Sequence, residues 1–421
     1  MSGRTPDRRF DLIIVGGGVV GPVMAALAVA RGLAPAARVA VVADRAPPAA
    51  ALTGREDWDL RVYALSRISQ RLLTGCGIWQ TLPANRVSAF ERMCVWDASE
   101  APGGPGSLTF DCAEIGEPNL GFIVDGAVLQ RQCIAAARAA GVVSIEARLQ
   151  GLEFVEGGVR VALDDGRELG ATLLVGADGS LSTTRRLLGI GTAGHAYHQV
   201  ALVAHLRTAE PHRNTAWQRF LPGGPLAFLP LHDGRSSMVW STPRDEAERL
   251  QALDPGALAR EITAASGGVL GACEPTTPVA GHALQLQYAV DYARPHAVLI
   301  GDAAHAVHPL AGQGLNLGLL DCASLADVLA AAATPGELGD YRFLRRYERW
   351  RRSENLLAAG AFDGLERLFA HSNPVVGRLR AAGLGAVAMS PFLRRRFAER
   401  ALGLAGDVPE FVRVDRPWPR R

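Results

Sequence analysis

The apolar run Ala297-Val298-Leu299-Ile300 leads straight into Gly301-Asp302-Ala303-Ala304-His305-Ala306-Val307-His308-Pro309-Leu310-Ala311-Gly312-Gln313-Gly314-Leu315-Asn316, and this junction constrains the fold more than any other stretch. Four apolar residues bounded by turn residues predict a short buried strand, and the apolar stretch from Leu317 to Ala332 predicts a long helix. A strand that ends at an acid and turns through glycines into a helix delivers a carboxylate beside a helix N-terminus, where backbone N–H groups favour negative charge.

Two remote segments repeat the device. Phe10 to Val15 predicts a strand, and Gly16-Gly17-Gly18-Val19-Val20-Gly21 fits GxGxxG ahead of a helical run from Pro22 to Arg31. In such a loop Gly16 allows the tight turn, Gly18 lets a pyrophosphate approach the backbone, and Gly21 packs the helix against the sheet. A second strand, Val39 to Val42, ends near Asp44, which is placed to accept from an adenosine ribose hydroxyl. Thr172-Leu173-Leu174-Val175 then runs into Gly176-Ala177-Asp178-Gly179, followed by Ser180, Ser182, Arg185 and Arg186. Singly, each is an ordinary structural turn, since Asp-Gly is a common tight-turn pair and glycine loops need bind nothing. Together they suit a flavin dinucleotide, whose ribityl hydroxyls need an acceptor and whose ring gains negative charge on reduction. Asp302 is the expected ribityl acceptor, and backbone N–H groups from Gly312 to Asn316 are expected to face the reduced ring.

Gly16/Gly18/Gly21, Gly176 to Gly179 and Gly301-Asp302 through Asn316 resemble the class A FAD-dependent aromatic hydroxylases. Asp302 to His305 with Pro309 to Asn316 resembles, more narrowly, the ubiquinone-biosynthesis hydroxylase family. Asp59-Leu60-Arg61-Val62-Tyr63-Ala64-Leu65-Ser66 and Tyr347-Glu348-Arg349 through Arg352-Ser353-Glu354-Asn355 to Leu368-Phe369 support that branch, and the resemblance runs from Phe10 to about Leu404. It implies FAD held by Gly16, Gly18, Gly21, Asp44, Arg61, Asp302, Pro309, Gly312, Gln313, Gly314, Leu315 and Asn316, with Pro309 shaping the ring edge and Arg61 near a mobile flavin. It also implies NAD(P)H as a transient reductant without a Rossmann domain of its own, and dioxygen as co-substrate. The implied reaction transfers a hydroxyl from a flavin hydroperoxide to the ring of a polyprenylated phenol in ubiquinone biosynthesis. Asp178 is expected to hold its turn and its arginine neighbours.

Two other readings stay open from the residues: a hydroxylase of a small soluble aromatic, and a noncatalytic flavin-binding subunit of a quinone-biosynthesis complex. An accessible hydrophobic channel would favour the prenylated substrate, a closed polar pocket the soluble one. A nicotinamide dehydrogenase would not need the boxes at Asp178 and Asp302. No catalytic base is assigned; His198, His205, His232 and several tyrosines are candidates, and a lone histidine in a sheet is more often structural.

The expected fold class is α/β, with a chain of 421 residues folding as more than one lobe. Residues 1–75, 121–192 and 296–335 are expected to form a discontinuous Rossmann-like FAD-binding domain, 76–120 and 193–295 a substrate domain, and 336–421 a helical C-terminal region. Between 193 and 295 short runs alternate apolar and polar, as in Ala201 to Leu206 and Ser237 to Ser241, with turns at Pro222-Gly223-Gly224 and Asp233-Gly234. These predict an antiparallel sheet whose face beside the flavin walls a substrate pocket.

Charge and cysteines narrow the classes. A formal net charge of +2 argues against nucleic-acid binding. All 44 basic side chains are arginine, which removes any lysine Schiff-base chemistry. The six cysteines show no CxxC pair and read as free thiols, and no acid or cysteine cluster completes a metal site around His305 and His308. Arg8-Arg9-Phe10 with Ala28-Val29-Ala30 mimics an export signal, but cleavage there would delete the first strand and the glycine loop. No apolar stretch reaches the roughly 18 residues of a membrane span. The chain is therefore expected to be cytoplasmic, soluble or peripheral at the inner membrane face. Phe362, Leu365, Leu368 and Phe369, then Val375, Leu379, Phe392, Leu393 and Phe397 beside Arg394 to Arg396, form an apolar and basic stripe that either packs on the body, on a second copy or complex partner, or lies on anionic lipid.

Overall fold

The computed structural model describes residues 8–44, 57–104, 107–306, 313–370, 390, 392 and 407–413. Its first layer is a parallel sheet in the order Val143–Glu146, Val39–Ala43, Arg8–Val15, Glu168–Gly176 and Ala297–Leu299. The central strands read as unbroken apolar runs because both faces of the sheet are covered: Leu12, Ile13, Ile14, Leu173, Leu174 and Val175 are all fully buried. The hairpin Leu149–Val155 and Gly158–Leu163 adds antiparallel strands beside the first half of Glu168–Gly176. Three strands thus end side by side at Gly16, Gly176 and Ile300, although nearly 300 positions apart in the chain.

The helix after the glycine loop runs Val20–Ala30, two residues earlier than expected from Pro22. A proline in the first turn costs nothing there, because its missing N–H would have no intrahelical partner. The helix after the second acid runs Gln313–Leu329, beginning before Leu317 and ending before Ala332, and packs across Val20–Ala30. Tyr341–Ala370 lies against it in turn. No helix among the described residues is long and apolar enough to cross a membrane.

The second layer is a nine-stranded sheet: His305–Ala306, Ala280–Ala289, Thr192–Thr208, Ser236–Pro243, Gly224–Pro230, Thr215–Leu221, Arg92–Asp97 and Ser107–Asp111, with Cys273–Pro275 also against Thr192–Thr208. It is antiparallel as expected except for one parallel step, Thr215–Leu221 beside Arg92–Asp97. The period of two sorts its side chains cleanly. Leu202, Ala204, Leu226, Phe228, Met238 and Trp240 bury one face under the helices Arg244–Gln251 and Pro255–Ala265. Ala201, Val203, Ala227, Leu229, Ser237 and Val239 point the other way, toward the parallel sheet.

The sheets do not divide at the expected boundaries. Val87–Phe90 joins neither large sheet but pairs with Gly121–Asp125, which also pairs with Val62–Ser66 in a three-stranded sheet. Ala293–Arg294 belongs to the parallel sheet and His305–Ala306 to the antiparallel one. Each crossing occurs where a strand supplies a backbone edge that its neighbour in space needs, which composition does not reveal. Of the apolar and basic stripe of the C-terminal region, Phe362, Leu365, Leu368 and Phe369 fall on the helix Tyr341–Ala370 and Phe392 is described; Val375, Leu379, Leu393, Phe397 and Arg394 to Arg396 lie outside the described residues.

Candidate functional site

Gly16 has φ +132°, and its N–H donates to Val42 O at 2.8 Å. A Cβ on Gly16 would stand 2.2 Å from Ala177 O, and one on Gly21 would stand 2.0 Å from Gly16 O. Both positions are therefore closed by backbone. A Cβ on Gly18 would meet nothing within 4 Å, so the loop leaves an open cradle only there, on the side that faces a cavity. Gln130, on the helix Gly126–Ala139, donates to Gly17 O at 2.8 Å and steadies the loop from outside. Asp44 sits at the mouth, where its Oδ2 accepts from Arg148 Nε at 2.9 Å and Nη2 at 2.5 Å. Arg148 carried no signal in the sequence; it enters from the hairpin neighbouring that strand end.

The second box is a bonded turn. Asp178 accepts from Ser182 Oγ at 2.5 Å and from Thr184 N and Oγ1 at 2.9 and 3.0 Å, which leaves it occupied with its own loop, as expected. Arg185, buried, reaches from this turn to Ala303 O.

Asp302 lies on the short turn Gly301–Ala303 and opens onto the cavity. Water reaches it through the cavity, yet the protein packed around it pushes its carboxyl above the ordinary value, against the pull of His305 and Arg61. Arg61 is exposed at the cavity wall, and Tyr63 lies close to both; burial raises the Tyr63 hydroxyl, with Arg61 acting against that shift. Arg61, Tyr63 and Asp302 form one cluster, of which Tyr63 was visible in the sequence only as part of a family segment.

Gly314, Leu315 and Asn316 line the cavity from the first turn of Gln313–Leu329. Pro309 and Gly312 lie outside the described residues, and Gln313 is described only as the start of that helix. The Asn316 side chain is a clamp between segments. Its Oδ1 accepts from Ser66 N at 2.9 Å and Ser69 Oγ at 2.7 Å, and its Nδ2 donates to Ala64 O at 2.8 Å. A contact from Asn316 to a cofactor would thus come from its backbone.

Behind the Asp302 turn sits a buried network that motif reading did not find. Asp321 Oδ2 accepts from Gly301 N at 2.9 Å and meets His305 Nε2 at 2.5 Å, while Oδ1 accepts from Arg351 Nε at 2.8 Å and Asn355 Nδ2 at 3.3 Å. Burial alone would raise the Asp321 carboxyl, but His305 and Arg351 hold it down at about 2. His305 is thereby a structural partner, and among the described residues no group of acids, cysteines and histidines gathers to hold a metal. The six cysteines carry free thiols. Of the histidines considered as bases, His198 has φ 55° at the irregularity in Thr192–Thr208, and His205 is fully buried with Nε2 3.0 Å from Asp59 O.

These groups share one cavity of about 1560 Å³. It begins at Gly16 to Gly18 and Asp44, passes Arg61, Asp302 and Gly314 to Leu317, and ends between the antiparallel sheet face and Phe90, Met93, Phe110, Leu120 and Ile123. Its size exceeds an ordinary small-molecule pocket of roughly 300–1,000 Å³, as a dinucleotide plus a second molecule requires. The open cradle at Gly18, acids at two depths and a helix start between them fit FAD.

Solved structures with this architecture include p-nitrophenol 4-monooxygenase from Pseudomonas putida, with a TM-score of 0.73 at 16% identity over 94% of this chain and 98% of that one. Another is a Pseudomonas aeruginosa protein in complex with 2-aminobenzoylacetate, with a TM-score of 0.69 at 25% identity over 89% and 99%. The family model for the FAD binding domain matches residues 128–355. Fold and cavity define an FAD-dependent aromatic monooxygenase of class A. The chain is 34% identical over 399 residues to 3-demethoxyubiquinol 3-hydroxylase of Escherichia coli, covering 94% of this chain and 98% of that protein. It is 36% identical to a ubiquinone hydroxylase of Rhodospirillum rubrum over 98% and 94%, and 33% identical to the mitochondrial ubiquinone biosynthesis monooxygenase of Homo sapiens over 93% and 92%. The chain belongs to the ubiquinone-biosynthesis hydroxylase family.

Proposed function

We propose that this chain is an FAD-dependent, NAD(P)H-consuming monooxygenase that hydroxylates the aromatic ring of a polyprenylated phenol in ubiquinone biosynthesis. The observation that carries this reading is the continuity of the cavity, from the Gly18 cradle past Asp302 to a sheet face lined by Val203, Leu229 and Val239. Bound FAD, reduced by NAD(P)H, supplies the activation of dioxygen. The chain's residues do the rest. Gly18 would seat the pyrophosphate in a loop that Gly16 and Gly21 close by backbone packing, Asp44 steadied by Arg148 would accept from the adenosine ribose, and Asp302 would accept from the ribityl chain. Backbone N–H groups at the start of Gln313–Leu329 would favour negative charge on the ring, and Arg61 and Tyr63, which line the same cavity, would help to hold it. The apolar distal wall favours a prenylated ring over a small polar aromatic and excludes water from the reacting edge.

A tail-bearing substrate resides in lipid, and we infer that the protein meets the inner membrane face through its C-terminal region, where Leu357 and Phe392 are exposed. A second copy or a complex partner is the alternative cover for that surface.

The test is turnover under labelled dioxygen. Purified protein with FAD, NADPH or NADH and a short-tailed prenylated phenol is expected to consume the reductant faster than without phenol and to place one labelled oxygen on the ring, read by mass spectrometry. Unlabelled product, or reductant use indifferent to the phenol, would overturn the reading.

A further inference from the structure

Four residues stand abreast on neighbouring strands of the antiparallel sheet, Gln218, Ala227, Val239 and Val203, and all four line the far end of the cavity. Three are apolar and the fourth carries an amide. On its other flank Gln218 has Val95, and along its own strand the residues of the same face are Ala216 and Phe220. None of these neighbours has a side-chain donor or acceptor to offer it.

Gln218 is only 6% exposed, yet its amide makes no hydrogen bond among the described residues, and neither its oxygen nor its nitrogen is sealed off by protein. The amide therefore opens into the cavity that it lines. Ser237 on the same sheet face differs, because its hydroxyl is enclosed. A buried amide without partners has given up its bonds to water for nothing, a cost that a methionine in its place would not carry. The cost is recovered if the occupant of the cavity brings the missing partner. Phe90, Met93, Phe110 and Leu120 make the opposing wall apolar, so one polar group faces an otherwise greasy enclosure, the arrangement that fixes how a ligand is turned.

The amide presents an acceptor at Oε1 and two donors at Nε2, and it is uncharged. It suits a neutral oxygen substituent. We propose that Gln218 holds the ring hydroxyl of the aromatic substrate, accepting its O–H at Oε1 or donating to its oxygen from Nε2, so that the far end of the cavity selects an oxygenated ring over a bare arene with the same tail. The inference rests on the function proposed above and adds to it the residue that orients the ring.

Flavin absorbance titrations of the FAD-loaded enzyme test this with two probes, a phenol carrying one isoprene unit and the same molecule with hydrogen in place of the hydroxyl. Gln218→Met is expected to weaken the phenol about 5–10-fold, leave the arene within twofold, and keep or raise the Tm measured without substrate. Gln218→Leu, a second replacement without donor or acceptor, is expected to shift the ratio of the two Kd values in the same direction. Variants that bind the phenol as tightly as the wild type overturn the anchor. So do variants that lose Tm and weaken both probes alike, the signature of a packing role. If the wild type neither binds the phenol nor hydroxylates it under labelled dioxygen, the proposed function falls and the anchor with it; wild-type hydroxylation with an unchanged Gln218→Met Kd removes the anchor alone.

Discussion

Arg185 Nη1 donates to the carbonyl oxygen of Ala303 at 2.8 Å, so the turn after Asp178 is bonded to the residue that follows Asp302. Its Nη2 donates to Ser180 O at 2.7 Å, and the guanidinium therefore joins two strand ends that carry the proposed cofactor site. Replacing it with methionine keeps the bulk and removes both donors. We expect Arg185→Met to cost about 2–4 kcal/mol in chemical denaturation and to weaken FAD roughly tenfold by titration. Full FAD affinity in this variant would show that the link is not used.

The glycine loop separates packing from binding. A Cβ at position 21 collides with backbone at 2.0 Å, whereas one at position 18 enters open space. Gly21→Ala should lose about 1–3 kcal/mol of stability. Gly18→Ala should keep its stability within about 0.5 kcal/mol and lose at least tenfold in FAD affinity. Thermal melts of the apoproteins beside FAD titrations check both.

Asp302 places affinity against stability. Its carboxyl is raised in the folded protein by burial, so the folded state binds a proton more tightly than the unfolded chain. Stability is then fully present below the unfolded value of about 3.9 and falls as pH rises through the higher folded value. Asp302→Asn should therefore raise the apoprotein Tm at pH 7, a gain that disappears below about pH 4, while FAD binding weakens sharply. An apoprotein Tm unchanged at pH 7 would contradict this.

Asp321 has the opposite sign. Held at about 2, it contributes stability above the unfolded value and loses it as pH falls through about 2. Asp321→Asn leaves Arg351 buried without its anion, which costs about 3–5 kcal/mol. Its stability should also vary less between pH 4 and pH 2 than that of the wild type, as urea melts across that range would reveal.

Phe10 to Gly21 shows why much of the site could be read early. Its strand period, glycine spacing and helix start are local, and each follows from backbone sterics within a dozen residues. The same holds for the strands Thr172 to Val175 and Ala297 to Leu299 and for the alternation of Ser236–Pro243. Asn316 shows the limit: its position in the motif was evident, but its side chain serves Ala64, Ser66 and Ser69, some 250 residues away, a choice made only when the helix docks.

The order of residues by itself determined the α/β class, the three acid and glycine strand ends and the family, because these depend on periods and spacings that the backbone enforces locally. Tertiary structure decided which groups meet: Arg148 with Asp44, Arg185 with Ala303, and Asp321 with His305 and Arg351. Such pairings are settled by the need to satisfy buried polar groups once packing has fixed their surroundings, and no local pattern encodes that.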